Sequence, residues 1–165
     1  MRVAIIMGST SDLPKMEPAV GILKEYGVTV DVRCLSAHRA HAGLSAFIEE
    51  ANNNGTEVFI AAAGMAAHLP GVIAASTTVP VIGVPIKSTL EGMDALLAIV
   101  QMPPGIPVAT VGINAAQNAG ILAVQMLALS DKDLATRFTA FKESLKRKIE
   151  KANEELKTVS YEYKV

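Results

Sequence analysis

The chain has 165 residues, a formal net charge of −1 at pH 7 and a pI of about 6.3. That length suits one domain with a core of its own, and the even charge balance offers no basic field to nucleic acid. Half of the residues are hydrophobic and the mean hydropathy is +0.34. Yet the two long stretches without Asp, Glu, Lys or Arg, Val58 to Ile86 and Ala95 to Ser130, are cut by Pro and Gly, so neither is one membrane helix. The apolar excess points instead to surface hidden between copies of the chain, a homo-oligomer. A single cysteine, Cys34, excludes an intramolecular disulfide and fits a reducing compartment. The opening MRVAIIMGS has too short an apolar core for a signal peptide, and the expected location is cytoplasmic.

Arg2 to Met7 (RVAIIM) is a β-branched run ended by Gly8, the pattern of a strand buried on both faces. Pro14 suits a first helical turn, so a helix is predicted from Leu13 to Tyr26 with Gly27 as its C-cap. A second strand over Thr29 to Leu35 leads to a helix over Ala42 to Asn53, stopped by Asn54-Gly55. The third strand is Glu57 to Ala62 and the fourth Val81 to Val84, with a short helix over Leu69 to Ser76 between them. A helix over Met93 to Gln101, a fifth strand over Val108 to Val111 and a helix over Ala115 to Ala128 follow. This alternation predicts a parallel sheet covered on both sides, a doubly wound, flavodoxin-like α/β sandwich.

The tail differs. Asp131 to Lys157 contains no Gly or Pro, and Leu134, Phe138, Phe141, Leu145, Ile149, Ala152 and Leu156 recur at the helical period. One long C-terminal helix is expected, on the order of 40 Å at 1.5 Å per residue. Its Lys and Arg residues are interleaved with Glu143, Glu150, Glu154 and Glu155, which reads as a solvated face. Such a helix is longer than the domain itself needs. We expect residues 1–165 to be a single catalytic domain whose helix at 131–157 contacts a neighbouring subunit.

In open parallel sheets ligands bind beyond the carboxyl ends of the strands. After the first strand comes GSTSD, Gly8 to Asp12, whose small and hydroxyl residues leave backbone N–H groups open to an anion. Asp12 could accept hydrogen bonds from ribose hydroxyls, or Ser11 or Asp12 could simply cap the helix. Neither G-x-G-x-x-G nor G-x-x-x-x-G-K-[ST] occurs, so the standard nucleotide fingerprints are missing.

After the second strand comes CLSAHRAH, Cys34 to His41. Arg39 can grip a phosphate with its guanidinium fork, Ser36 can add a hydroxyl, and His38 can pass a proton near neutral pH. A metal held by His38, His41 and His68 is disfavoured, because Arg39 opposes a cation and no Asp, Glu or Cys completes the sphere. His41 reads as structural. After the third strand, AAAGMAAHLPG, Ala61 to Gly71, makes a wall of small residues that a planar ligand can approach closely. His68 within it is either an acid–base group or a buried hydrogen-bonding residue. Lys87, after the fourth strand, is a second cation or a solvated lysine. No Ser or Cys nucleophile stands beside a base.

MGSTSD, SAHR, AGMAAHLPG and IVQMPPGIPVATV, in that order and spacing, resemble the N5-carboxyaminoimidazole ribonucleotide mutase family of purine biosynthesis. The resemblance runs from Val3 through NAGILAVQML, Asn118 to Leu127. It implies a three-layer α/β sandwich assembled as a homo-octamer and acting on a small-molecule nucleotide. The carboxyl group of that nucleotide moves from exocyclic N5 to ring carbon C4, without metal, biotin, ATP or other cofactor. By the resemblance, Ser9 and Asp12 lie in the first nucleotide-binding loop, with Asp12 on the ribose, and Ser36 and Arg39 contact the phosphate. His38 is the catalytic acid/base. His68, also assigned to catalysis, lines the base and carboxylate pocket with Gly64, Met65, Ala66 and Leu69.

The sequence departs from the family's S-A-H-R-T-P by carrying Ala40-His41, and from its glycines at Ala62 and Met65. Met65 is expected to turn away from the ligand and is poorly suited to φ > 0. A direct carboxylase branch, using CO2 on the uncarboxylated ribonucleotide, carries Lys in place of Arg39 and lacks A-H-L-P, which favours the mutase. A non-catalytic module for a phosphorylated ligand would need Ser9, Asp12 and Arg39 but would be indifferent to His38.

Overall fold

Three apolar runs, charged at most at their first residue, each become a strand inside one sheet. In the computed structural model, which describes residues 1–160, these are β1 (Arg2–Met7), β3 (Val58–Gly64) and β4 (Val81–Ile86). β2 (Thr29–Cys34) and β5 (Ala109–Thr110) flank them, giving a five-stranded parallel sheet in the order β2-β1-β3-β4-β5. Ile5 faces Val32 on one side of β1 and Ile60 on the other. The edge position of β2 explains its polar side chains, including the Arg2–Asp31 ion pair at 2.8 Å.

The helices are α1 (Leu13–Glu25), α2 (His41–Asn53), α3 (Leu69–Ala74), α4 (Met93–Val100) and α5 (Ala116–Leu127). Side chains alternate along a strand, and the two parities of β1 serve two layers. Ala4 and Ile6 join Leu44, Phe47 and Ile48 of α2, Ile73 of α3 and Ala95 and Ile99 of α4 in one buried cluster. α1 and α5 pack together on the opposite face of the sheet. This is the doubly wound three-layer sandwich, with the flavodoxin-like strand order.

Local signals set the boundaries. Gly27, at φ +75°, donates to the Lys24 carbonyl while Val28 donates to Leu23, which closes α1 in a Schellman motif. Gly55 does the same for α2, where Thr56 donates to Ala51 at 3.1 Å. Two strands run further than their sequences suggest: β3 continues through Ala63 and Gly64, and β4 through Pro85 and Ile86. Parallel pairing with each other recruits residues that read as loop in isolation. β5 is shorter than expected, since Pro103, Pro104 and Pro107 keep the chain before it irregular. Two short 3-10 turns, Thr10–Asp12 and Leu90–Gly92, lead into α1 and α4.

Gly83 is where α4 meets the sheet most closely. A Cβ there would lie 2.4 Å from Ile99 Cγ2 and 3.0 Å from Val108 Cγ1. Gly83→Val should therefore overpack the core and lower stability by about 1–3 kcal/mol, read as a lower urea midpoint at unchanged slope.

The chain divides into two compact units, Met1–Leu127 and the residues from Ala128 onward. The second is built on α6 (Lys132–Lys157), whose N-terminus is capped by Asp131 accepting the Leu134 N–H at 2.8 Å. Ion pairs Lys146–Glu150 and Lys151–Glu155 lie along it, while Leu145, Ile149 and Leu156 are exposed. Residues 161–165 of the expected single domain lie outside the described residues. Among the described residues, no helix is long and apolar enough to cross a membrane.

Candidate active site

After β1 the chain first adds β2 on one side, and β3 then pairs on the other, so the connections diverge beyond the carboxyl ends of β1 and β3. Such a switch point leaves a crevice. A cavity of about 600 Å³ opens there, and its wall includes Ser9, Asp12, Ser36, His38, Arg39, Gly64, Met65, Ala66, His68 and Leu69. The residues that the resemblance assigns to substrate and catalysis are thus brought to one place. His41, the first residue of α2, is not on that wall.

The turn after β1 resolves a choice the sequence leaves open. Ser9 caps the 3-10 turn Thr10–Asp12 that precedes α1, its Oγ accepting the Ser11 N–H at 3.3 Å and lying 2.8 Å from Ser11 Oγ. Asp12 stands at the N-cap position of α1 but makes no side-chain cap bond, and it is only 9% exposed. Burial pushes its carboxyl pKa up from the ordinary value, and the Lys15 ammonium partly offsets that. The stability sign follows. A carboxyl raised by the fold favours folding when protonated, below its unfolded pKa, and that contribution is lost as pH rises through the folded pKa. At neutral pH the ionised Asp12 therefore costs stability. Asp12→Asn should raise Tm at pH 7, with the gain shrinking toward acid pH, while weakening nucleotide binding; thermal scans across pH read the first and titration calorimetry the second.

The hook after β2 holds its arginine in place. Ser36 Oγ accepts the Arg39 backbone N–H at 3.2 Å and Nε at 3.5 Å, and Arg39 Nη2 donates to the Gly8 carbonyl at 3.2 Å. The guanidinium is thereby pinned at the cavity, with N–H groups left over for an anion. Next to it, His38 Nε2 lies 2.9 Å from Nδ1 of His68, the rings meeting edge-on with centroids 5.0 Å apart. One ring donates and the other accepts, so the proton position of each depends on its partner.

The wall at the end of β3 is made by Ala63 and Gly64 of the strand and by Met65 and Ala66 after it. A Cβ on Gly64 would come 3.1 Å from the Ile86 carbonyl, so a larger residue there would press the ends of β3 and β4 apart by a few tenths of an ångström. Met65 corrects an expectation. It holds φ +56°, a left-handed conformation costing a side-chain-bearing residue roughly 1–2 kcal/mol, and it lines the cavity with 57% of its surface exposed.

Lys87 is also placed differently from its reading as a possible second cation. Its ammonium pairs with Glu91, its N–H bonds Asn114, and it is absent from the cavity wall. The further cation on that wall is Lys15 of α1, and the neutral Ser88, beyond β4, also lines it. Lys15 was legible in principle, because i, i+3 spacing from Asp12 stacks the two on one helix face.

The model of the AIR carboxylase family matches residues 2–148. The N5-carboxyaminoimidazole ribonucleotide mutase of Methanocaldococcus jannaschii is 53% identical over 155 residues, covering 94% of this chain and 97% of that protein. The protein of the same name from Thermotoga maritima is 48% identical over 161 residues, covering 97% and 94%. Among solved structures, Treponema denticola PurE matches with a TM-score of 0.88 at 29% identity, over 94% of this chain and 98% of that one.

Proposed function

This chain belongs to the AIR carboxylase family, and from that premise we propose that it is an N5-carboxyaminoimidazole ribonucleotide mutase of purine biosynthesis. It converts the N5-carboxylated nucleotide to 4-carboxy-5-aminoimidazole ribonucleotide. The observation that carries this reading is the His38–His68 pair, 2.9 Å apart, beside an anchored arginine and a wall of small residues. The identity to proteins named for this reaction supports it.

The chemistry follows from these groups. Arg39 and Ser36 hold the phosphate, and Ser9 and Asp12 the ribose side, which fixes the aminoimidazole against Gly64 to Ala67. His38 gives a proton to N5; the carbamate C–N bond breaks, its electron pair stays on N5, and CO2 is released. The ring is then enamine-like at C4, and its electrons form the new C–C bond to CO2 that the small walls retain and shield from water. The C4 proton returns to His38, which restores aromaticity and leaves the enzyme as it began. His68 holds the tautomer of His38 through their shared hydrogen bond.

The same reading extends to assembly and location. Met93, Leu97 and Val100 expose an apolar face of α4, and α6 carries the exposed stripe of Leu145, Ile149 and Leu156. Such faces suit contacts between copies of the chain, and a homo-octamer with α6 on a neighbouring subunit is the form proposed. A single catalytic domain working in the cytoplasm without cofactor completes the proposal.

The test offers the purified protein the N5-carboxylated nucleotide, without ATP or added bicarbonate, and follows the C4-carboxylated product. Acceleration over the spontaneous reaction is expected. No acceleration rejects the mutase, and turnover only of the uncarboxylated ribonucleotide with CO2 identifies a direct carboxylase.

A further inference from the structure

One charged side chain in the cavity has no task in that chemistry. Lys15 follows Asp12 by one helical turn, and both lie on the cavity wall. Its ammonium is tethered, donating to the Lys87 carbonyl 3.2 Å away, just beyond β4. No direct ion pair joins Lys15 to Asp12 among the described residues, so the two charges act on each other across space. Asp12 itself is buried and spends none of its oxygens on capping α1. We propose that Lys15 is a positioning residue for nucleotide binding, whose tethered ammonium keeps the Asp12 carboxylate ionised to receive the ribose hydroxyls. The inference rests on the reading that Asp12 binds the ribose.

The surroundings leave this task to Lys15. Arg39, anchored on the Gly8 carbonyl and Ser36, is the group assigned to the phosphate, and His38 and His68 are bonded to each other. Lys87 is paired with Glu91. Ser9 and Ser11, in the turn before α1, bond each other. α5, packed on α1, contains no charged residue. On β2, Asp31 pairs with Arg2, and Arg33 lies over the Phe47 ring. A nearby positive charge favours the ionised form of a buried carboxylate, and burial raises the Asp12 pKa while Lys15 opposes the rise.

The test uses Lys15→Met, Lys15→Arg and Asp12→Asn in the full chain. Calorimetry measures the dissociation constant of aminoimidazole ribonucleotide from pH 5 to 8, and carbon NMR of labelled aspartate follows the Asp12 carboxyl. Lys15→Met should bind about threefold more weakly near pH 8 and about tenfold near pH 5, with the Asp12 midpoint moved upward. Lys15→Arg should restore both. A Lys15→Met profile parallel to wild type, with an unmoved midpoint, overturns the proposal. If Asp12→Asn binds as tightly as wild type, the ribose reading beneath it fails instead, and the NMR midpoint tells the two failures apart.

Discussion

His38→Asn should leave less than about one thousandth of wild-type turnover while nucleotide affinity stays within about threefold. Asparagine fills similar space and can still hydrogen-bond His68 Nδ1, so the pair's geometry at 2.9 Å has a fair substitute. What it cannot do is release a proton to N5 and take another from C4. Positioned acid–base catalysis contributes roughly 10² to 10⁴-fold, and here one group is asked to serve both steps. His68→Asn should cost less, because the remaining histidine keeps its chemistry and loses only its orienting partner. Single-turnover rates of product formation, with calorimetric binding alongside, distinguish the cases. Wild-type turnover in His38→Asn would sink the proton-shuttle role.

Arg39→Leu should raise KM about 100-fold, the loss expected when a charge-assisted bidentate contact to phosphate disappears. Much of that value lies in preorganisation, since Ser36 and the Gly8 carbonyl already hold the guanidinium. Arg39→Lys should fall between. A lysine keeps the charge but cannot bond both protein acceptors and still present a fork to the ligand. Steady-state kinetics over a range of salt concentrations checks this, the leucine variant showing the weaker salt dependence. A lysine variant with wild-type KM would show that the fork is unnecessary and would remove Arg39 as a marker separating mutase from carboxylase.

Much of this fold was legible because its punctuation is local. Pro14, Gly27, Asn54-Gly55 and Asp131 each act within a few residues of the helix end they define. The ends of β3 and β4 were not, because Gly64 and Pro85 become strand residues only by pairing next to each other's strands. The same distinction holds at the site. Ser36 to Arg39 announces an anion hook in one short run, yet the family resemblance was needed to assign its members. The bond between His38 and His68 spans residues 30 apart. It depends on β2 and β3 lying on either side of β1, a neighbour relation no local pattern encodes. Met65 differs for the converse reason: propensity argues against its φ of +56°, yet the chain takes that turn directly after β3 ends at Gly64. Lys15 carries no local signal of its place on the cavity wall, because a lysine on a surface helix ordinarily reads as solvated.

The strand order also sets when the cavity comes into being. As the chain is synthesised, N-terminal first, β1, β2 and β3 have emerged by Gly64, and Leu69 brings the last of the sequence-assigned site residues. The later half of the chain adds Ile86 and Ser88 to the wall, and otherwise supplies cover. A nascent chain of that length therefore carries nearly all its reactive groups, but β3 presents an uncharged, alanine-rich edge with β4 still to come. An open edge of that kind templates pairing with other chains. The interval between the synthesis of Gly64 and of Ile86 leaves that edge uncovered, whereas the finished sheet pairs it with β4.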